Sequence, residues 1–140
     1  GQILLLATPT NLIRRIVNVG HSYLTPRPDG RTLVGSTLED VGFNSDVTAV
    51  GLAELTAFAI DLCPALADVS VETSWAGLRP ESAAGTPHLG RLPGLENAWI
   101  AAGHFRSGIQ LAPATAVVMR SLMLGQVPPV DIRADQFLSG

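Results

Sequence analysis

Gly103–Ala116 reads "GHFRSGIQLAPATA": two glycines enclose an imidazole, an aromatic ring, a guanidinium and a hydroxyl, and a helix-forming segment follows. The apolar run Ala98–Ala102 precedes it as a short buried strand, so the order strand, glycine loop, helix is expected, with the helix over Ala112–Leu124 and Gly125 as the residue that ends it. Pro113 suits the first helical turn, where a missing N–H costs least. Such a junction presents unpaired backbone N–H groups and the positive end of a helix dipole. That arrangement stabilises an anion, or a carbonyl oxygen that gains electrons, and glycines let backbone approach a flat ligand. A plain strand-to-helix connection satisfies the same spacing.

The chain around this loop has 140 residues, enough for one domain with a core. Apolar residues make up 46% and charged residues 15%, a balance that excludes a disordered or tail-like chain. All nine basic residues are Arg, the net charge is −3 and no basic cluster occurs, which argues against a nucleic-acid partner. A single cysteine, Cys63, excludes an internal disulfide and a multi-cysteine metal site. It reads either as a nucleophile or as a small apolar residue at a helix end before Pro64. No apolar run reaches the roughly 20 residues of a membrane span, and Gly1–Ala7 lacks the pattern of a signal peptide. A cytoplasmic protein without a membrane partner is therefore expected.

Upstream, Gln2–Ala7, apolar from Ile3 onward, is a run suited to a strand buried on both faces. Arg15–Val19 and Ser22–Thr25 are short β-like pieces around Gly20. "PRPDG" (Pro26–Gly30) is a turn, which makes Ser22–Pro26 and Thr32–Ser36 an antiparallel hairpin. Leu38–Ser45 is loop. Asp46 or Ser45 is placed to cap a helix over Thr48–Leu62, with apolar spacing at Val50, Leu52, Leu55, Phe58, Ala59 and Leu62. Pro64 ends it. Val69–Leu78 reads as a strand leading to Arg79, Glu81–Pro87 as loop, Leu89–Leu95 as a segment containing another turn, and the residues from Val127 as an extended tail.

Arg79 leaves the end of an apolar strand before Pro80. A guanidinium in such surroundings takes a carboxylate or phosphate through two parallel hydrogen bonds. The partner is either a ligand or an internal acid, with Glu72, Glu81 and Glu96 as candidates. Tyr23, the one tyrosine, sits on the hairpin opposite Leu33–Gly35, where a phenol caps a pocket or fills the core. His21, His88 and His104 are too dispersed to suggest a metal site. The absence of a G-x-S-x-G elbow weighs against a hydrolase.

The run "WAGLRPESAAGTPHLGRLPGLENAWIAAGHFRSGIQLAPATAVVMRSLMLG" (Trp75–Gly125) closely resembles the C-terminal portion of the FAD-dependent D-amino-acid oxidase superfamily. The resemblance is to its glycine oxidase branch, associated with thiamine biosynthesis. "GQILLL" and "HSYLTPRPDGRTLVGSTLEDVGF" resemble that branch too, so the likeness covers all but about the last dozen residues. It implies an α+β fold: a mixed, mainly antiparallel substrate-binding sheet with helices, and a terminal strand–helix belonging to an FAD-binding domain. Residues 1–74 would be the substrate sheet and its covering helix. Residues 75–125 would carry the substrate arginine, the flavin-facing loop and the last helix, and residues 126–140 the tail.

Carried over by motif, Arg79 resembles the arginine that clamps the substrate carboxylate, and Tyr23 the tyrosine that helps bind it. Arg106 resembles a second arginine near substrate and flavin. Gly103, His104, Phe105, Arg106, Ser107, Gly108, Ile109 and Gln110 resemble the loop along the isoalloxazine. Leu38 borders the substrate where glycine oxidases often have Met. Ser107 stands for a common Asn, Gln110 for an aliphatic residue, and Glu81-Ser82 for Gly-Thr.

The implied reaction is oxidation of a small amino acid or secondary amine by hydride transfer to the flavin, with imine hydrolysis and release of hydrogen peroxide. No side chain is assigned as acid or base. The G-x-G-x-x-G fingerprint of the FAD half is absent from these residues. The chain is thus expected to be the C-terminal part of a longer oxidase, inactive and without FAD when alone, with the missing N-terminal half as its partner. Apolar surface left by that half would favour self-association into a homo-oligomer. A dehydrogenase of the same superfamily with an acceptor other than oxygen, or a non-catalytic isolated domain, are the other readings.

Overall fold

A computed structural model describes residues 1–9 and 12–131. The chain forms two compact units, Gly1–Leu78 and Arg79–Gly140.

The first unit is a five-stranded sheet covered by a helix. Its strands are β1 (Gln2–Leu6), β2 (Val17–Val19), β3 (Ser22–Pro26), β4 (Thr32–Gly35) and β5 (Val71–Ala76), in the order β2-β3-β4-β1-β5. β1 lies between β4 and β5, antiparallel to both, which explains its unbroken apolar run. The turn after β3 joins β3 and β4 as expected, with Tyr23 paired to Gly35 and Pro26 to Thr32. Helix α1 (Ala49–Leu62) lays Leu55 and Ala59 on the sheet. These two join Leu4, Leu6, Leu24, Val34 and Leu66 in the core. Each fully buried leucine there contributes about 1.5–3 kcal/mol of apolar transfer.

The N-cap of α1 is Thr48, whose hydroxyl accepts from Gly51 N at 3.1 Å. Sequence pattern favoured Asp46 or Ser45, but in "NSDVT" several residues have capping chemistry and only the backbone decides among them. Val50, on the same helix, is 77% exposed and takes no part in the core. Cys63 is the C-cap of α1 and packs half-buried against the core.

The second unit pairs β6 (His88–Arg91) with β7 (Trp99–Ala102) and adds α2 (Gly108–Met123). Every strand pairing in the two sheets is antiparallel. Leu89–Leu95 contains a turn at Pro93–Gly94, as expected, and its first residues belong to β6. Two readings are corrected here. β7 is half-exposed rather than buried. α2 starts at Gly108, four residues before the expected Ala112, so Gly108, Ile109 and Gln110 are helical and Pro113 lies inside the helix. A proline at this depth removes one hydrogen bond, to the Ile109 carbonyl, near an end where the ladder is already incomplete. Gly125, at φ +66°, follows the helix as expected. Of the extended tail, residues 132–140 lie outside the described residues.

Candidate active site

In the second unit the loop after β7 turns sharply. Gly103 is buried at φ +82°, and an added Cβ would lie 3.0 Å from the Ser82 Cβ. Phe105 adopts φ +51°, a left-handed conformation that costs a non-glycine residue roughly 1–2 kcal/mol. The surroundings hold it there. Phe105 N donates to the Pro80 carbonyl at 3.0 Å, and an antiparallel bridge joins Glu81 to His104. The "RP" motif and the "GHFR" motif are thereby stitched together, so Arg79, half-buried, leaves the chain one residue before an anchored carbonyl.

Two hydroxyl–imidazole contacts brace this junction. His104 Nε2 lies 2.9 Å from Thr115 Oγ1, tying the loop to α2. Ser82 Oγ lies 3.0 Å from His88 Nε2 and accepts from Ala84 N at 3.2 Å, folding Glu81–Pro87 back on β6. Thr115 escaped the sequence reading and Ser82 entered it only as a departure from the family pattern, because hydroxyls of this kind carry no local signal. The departure of Ser82 from the usual Thr keeps a hydroxyl at that position.

A cavity of about 320 Å³ opens between the two motifs, lined by Glu81, Ser82, Gly103, Phe105, Arg106 and Ser107 among others. On the other side of His104 lies a mainly apolar groove of about 450 Å³, bordered by Trp99, Ala101, Gly108, Ala112 and Met119. Ser107, the N-cap of α2, makes no side-chain cap and the first turn holds no acidic residue, so neither offsets the positive end of the helix dipole. A Cβ on Gly108 would meet only the His104 Cβ, at 3.6 Å. This combination suits a flat ring that gains negative charge. Of the expected loop residues, Gly103–Ser107 line the cavity and Gly108 the groove, whereas Ile109 is 94% exposed and Gln110 is exposed.

The first unit holds the other two expected residues. The Tyr23 ring packs across the backbone of Gly35, and Leu38, 49% exposed, follows three residues later. Of the acids proposed as internal partners of Arg79, Glu72 is engaged by Arg31, at 2.6 Å. Arg31 also binds Asp29 at 2.6 Å, and these hydrogen bonds lower the Asp29 carboxyl from 3.8 to about 2. No helix among the described residues is long and apolar enough to cross a membrane.

Comparison with known proteins agrees with this architecture. The chain is 40% identical over 131 residues to the glycine oxidase of Pseudomonas aeruginosa, covering 94% of this chain and 36% of that protein. It thus spans about a third of the length of such relatives. The crystal structure of glycine oxidase from Geobacillus kaustophilus superposes with a TM-score of 0.84 at 30% identity, over 94% of this chain and 36% of that one. That of L-proline dehydrogenase from P. horikoshii gives 0.79 at 27%, over 92% and 36%. Residues 1–122 match the family model described as FAD dependent oxidoreductase, and the chain belongs to that family.

Proposed function

We propose that the full-length protein carrying this segment is a glycine oxidase-like enzyme that oxidises a small amino acid or secondary amine. Its products would be an imine, which water hydrolyses, and hydrogen peroxide, formed from molecular oxygen that takes up the two electrons and two protons. The observation that carries this reading is the Phe105 N to Pro80 O hydrogen bond, which joins the motif bearing Arg79 to the motif bearing Arg106.

FAD, when bound, supplies a two-electron acceptor for the hydrogen on the amine's α-carbon. The rest of the work belongs to the chain. Arg79 binds the substrate carboxylate through two parallel N–H groups, and the Tyr23 hydroxyl donates a further hydrogen bond. Leu38 borders the substrate's side chain, and Arg106 adds positive charge near substrate and ring. Gly103–Gln110 hold the ring, with the start of α2 placing partial positive charge beside it. With the substrate held this way, orientation carries most of the rate enhancement.

The test is Arg79→Ala in the full-length protein. Loss of two charge-assisted hydrogen bonds, about 3 kcal/mol together, raises KM for the amino acid roughly 100-fold. A KM that hardly moves refutes the clamp. The likeness to L-proline dehydrogenase favours one second reading, a dehydrogenase with an acceptor other than oxygen. Stoichiometric peroxide release decides for the oxidase.

A further inference from the structure

Leu38 sits between two residues fastened to Gln2, Thr37 through the Gln2 backbone and Glu39 through the Gln2 side chain. Gln2, at the start of β1, is 2% exposed, and its amide is held on several sides. Its Oε1 accepts from Thr48 N at 2.8 Å. Its Nε2 donates to Glu39 Oε1 at 2.7 Å and to Thr48 Oγ1 at 3.0 Å. The Gln2 backbone N–H donates to Thr37 Oγ1 at 2.6 Å, and that hydroxyl donates in turn to Glu39 Oε2 at 2.9 Å. Thr37 N closes the ring on Gln2 O at 3.3 Å. Both oxygens of Glu39 are thus used, one on each arm of the network.

The amide has no room to slide. It lies so close to Gly51 in the first turn of α1 that a Cβ there would come within 2.5 Å of Gln2 Nε2. Residues 37 and 39 are therefore immobilised against β1 and the start of α1. Leu38, between them, is half-exposed and outside the set of residues packed on the core. A half-exposed leucine gains little stability from such anchorage, whereas a leucine that must stand at a fixed place against a small ligand gains definition.

We infer that the Gln2–Thr37–Glu39 network is a positioning device for Leu38, and that it sets the size limit on the substrate's side chain. Gln2, Thr37 and Glu39 act through Leu38 and touch no substrate. The inference rests on the reading of Leu38 as a substrate contact, and the experiment separates the two.

In the full-length protein, KM and kcat are measured for glycine and for amino acids with progressively longer side chains. Glu39→Ala shifts the ratio of KM values between the longest and shortest substrates by about tenfold, the scale of one methylene in a shaped pocket, and the change falls on KM rather than kcat. Glu39→Gln restores the original ratio, since a carboxamide still accepts from Gln2 and donates to Thr37 Oγ1. Thr37→Val, which keeps the shape and removes the hydroxyl, repeats the Glu39→Ala shift and serves if that variant does not fold. Leu38→Ala shifts the ratio as well. If Leu38→Ala leaves it unchanged, the reading of Leu38 fails and the inference with it. If Leu38→Ala moves it while folded Glu39→Ala or Thr37→Val lowers only the melting temperature, the network is structural and the positioning role is overturned.

Discussion

The Tyr23 ring lies on the bare α-carbon of Gly35, its directly paired neighbour across β3 and β4. A Cβ at position 35 would stand 2.5 Å from both Cζ and Oη of the phenol. The glycine therefore sets the ring's position, and any side chain at 35 must swing it away. Gly35→Ala is expected to destabilise the 140-residue chain by about 1–3 kcal/mol, the usual cost of overpacking. In the full-length protein the same change should raise KM for the amino acid as Tyr23→Ala does. Urea denaturation and steady-state kinetics check the two parts. A Gly35→Ala protein with unchanged KM would separate the Tyr23 position from substrate binding.

Gly51 sets two effects against each other. Alanine is preferred over glycine in a helix by about 1 kcal/mol, so propensity favours Gly51→Ala. The added methyl would meet the buried Gln2 amide at 2.5 Å, and that amide cannot retreat without giving up its own partners on Glu39 and Thr48. An unsatisfied buried polar group costs about 1–3 kcal/mol, and the clash adds to it. Steric conflict wins, and Gly51→Ala should lower the denaturation midpoint. A raised midpoint would show that the amide has another place to go.

The Asp29–Arg31 contact makes a pH prediction whose sign is fixed by the depressed carboxyl, at about 2 against an ordinary 3.8. Side-chain and backbone hydrogen bonds from Arg31 are the main cause. A carboxyl lowered on folding contributes stability that is present above its unfolded value and is lost as pH falls toward its folded one. The window is pH 4 to 2. In a carboxyl-carbon NMR titration Asp29 should have its midpoint near 2, and Arg31→Gln should return it toward 3.8. The difference in melting temperature between the two proteins should shrink across that window. Both partners are solvent-exposed, so the difference is small throughout.

The strands and the β3–β4 turn were legible because their signals are local: the unbroken apolar run of β1, and Pro and Asp-Gly before β4. Local signals also misled. Pro113 marks a helix start by its commonest use, yet it is the sixth residue of α2. β6 is four residues with a glycine among them, and its strand character comes from pairing with β7. The Tyr23–Gly35 and Phe105–Pro80 relationships arise from register and tertiary approach. The motifs named Tyr23, Arg79 and the loop as candidates through resemblance. Spacing alone could not reveal that Pro80 anchors Phe105.

The two glycines of "GHFRSG" should answer alanine substitution in opposite ways. Gly103 has φ +82° and Ser82 at its α-carbon, so Gly103→Ala combines left-handed strain of about 1–2 kcal/mol with a contact 3.0 Å from another Cβ. The turn that carries Phe105 to Pro80 should loosen, and the chain should lose about 2 kcal/mol or more. Gly108 has helical φ −56° and ψ −44°, with only an ordinary contact to the His104 Cβ. Gly108→Ala should therefore hold or raise stability, by about 0.4–1 kcal/mol where the unfolded chain loses freedom. If the start of α2 faces the flavin, that methyl occupies the ring's approach. The full-length Gly108→Ala protein should then be stable yet show reduced absorbance near ~450 nm from bound flavin, a stability gain with a cofactor loss. Full flavin content in this variant would place the ring away from Gly108.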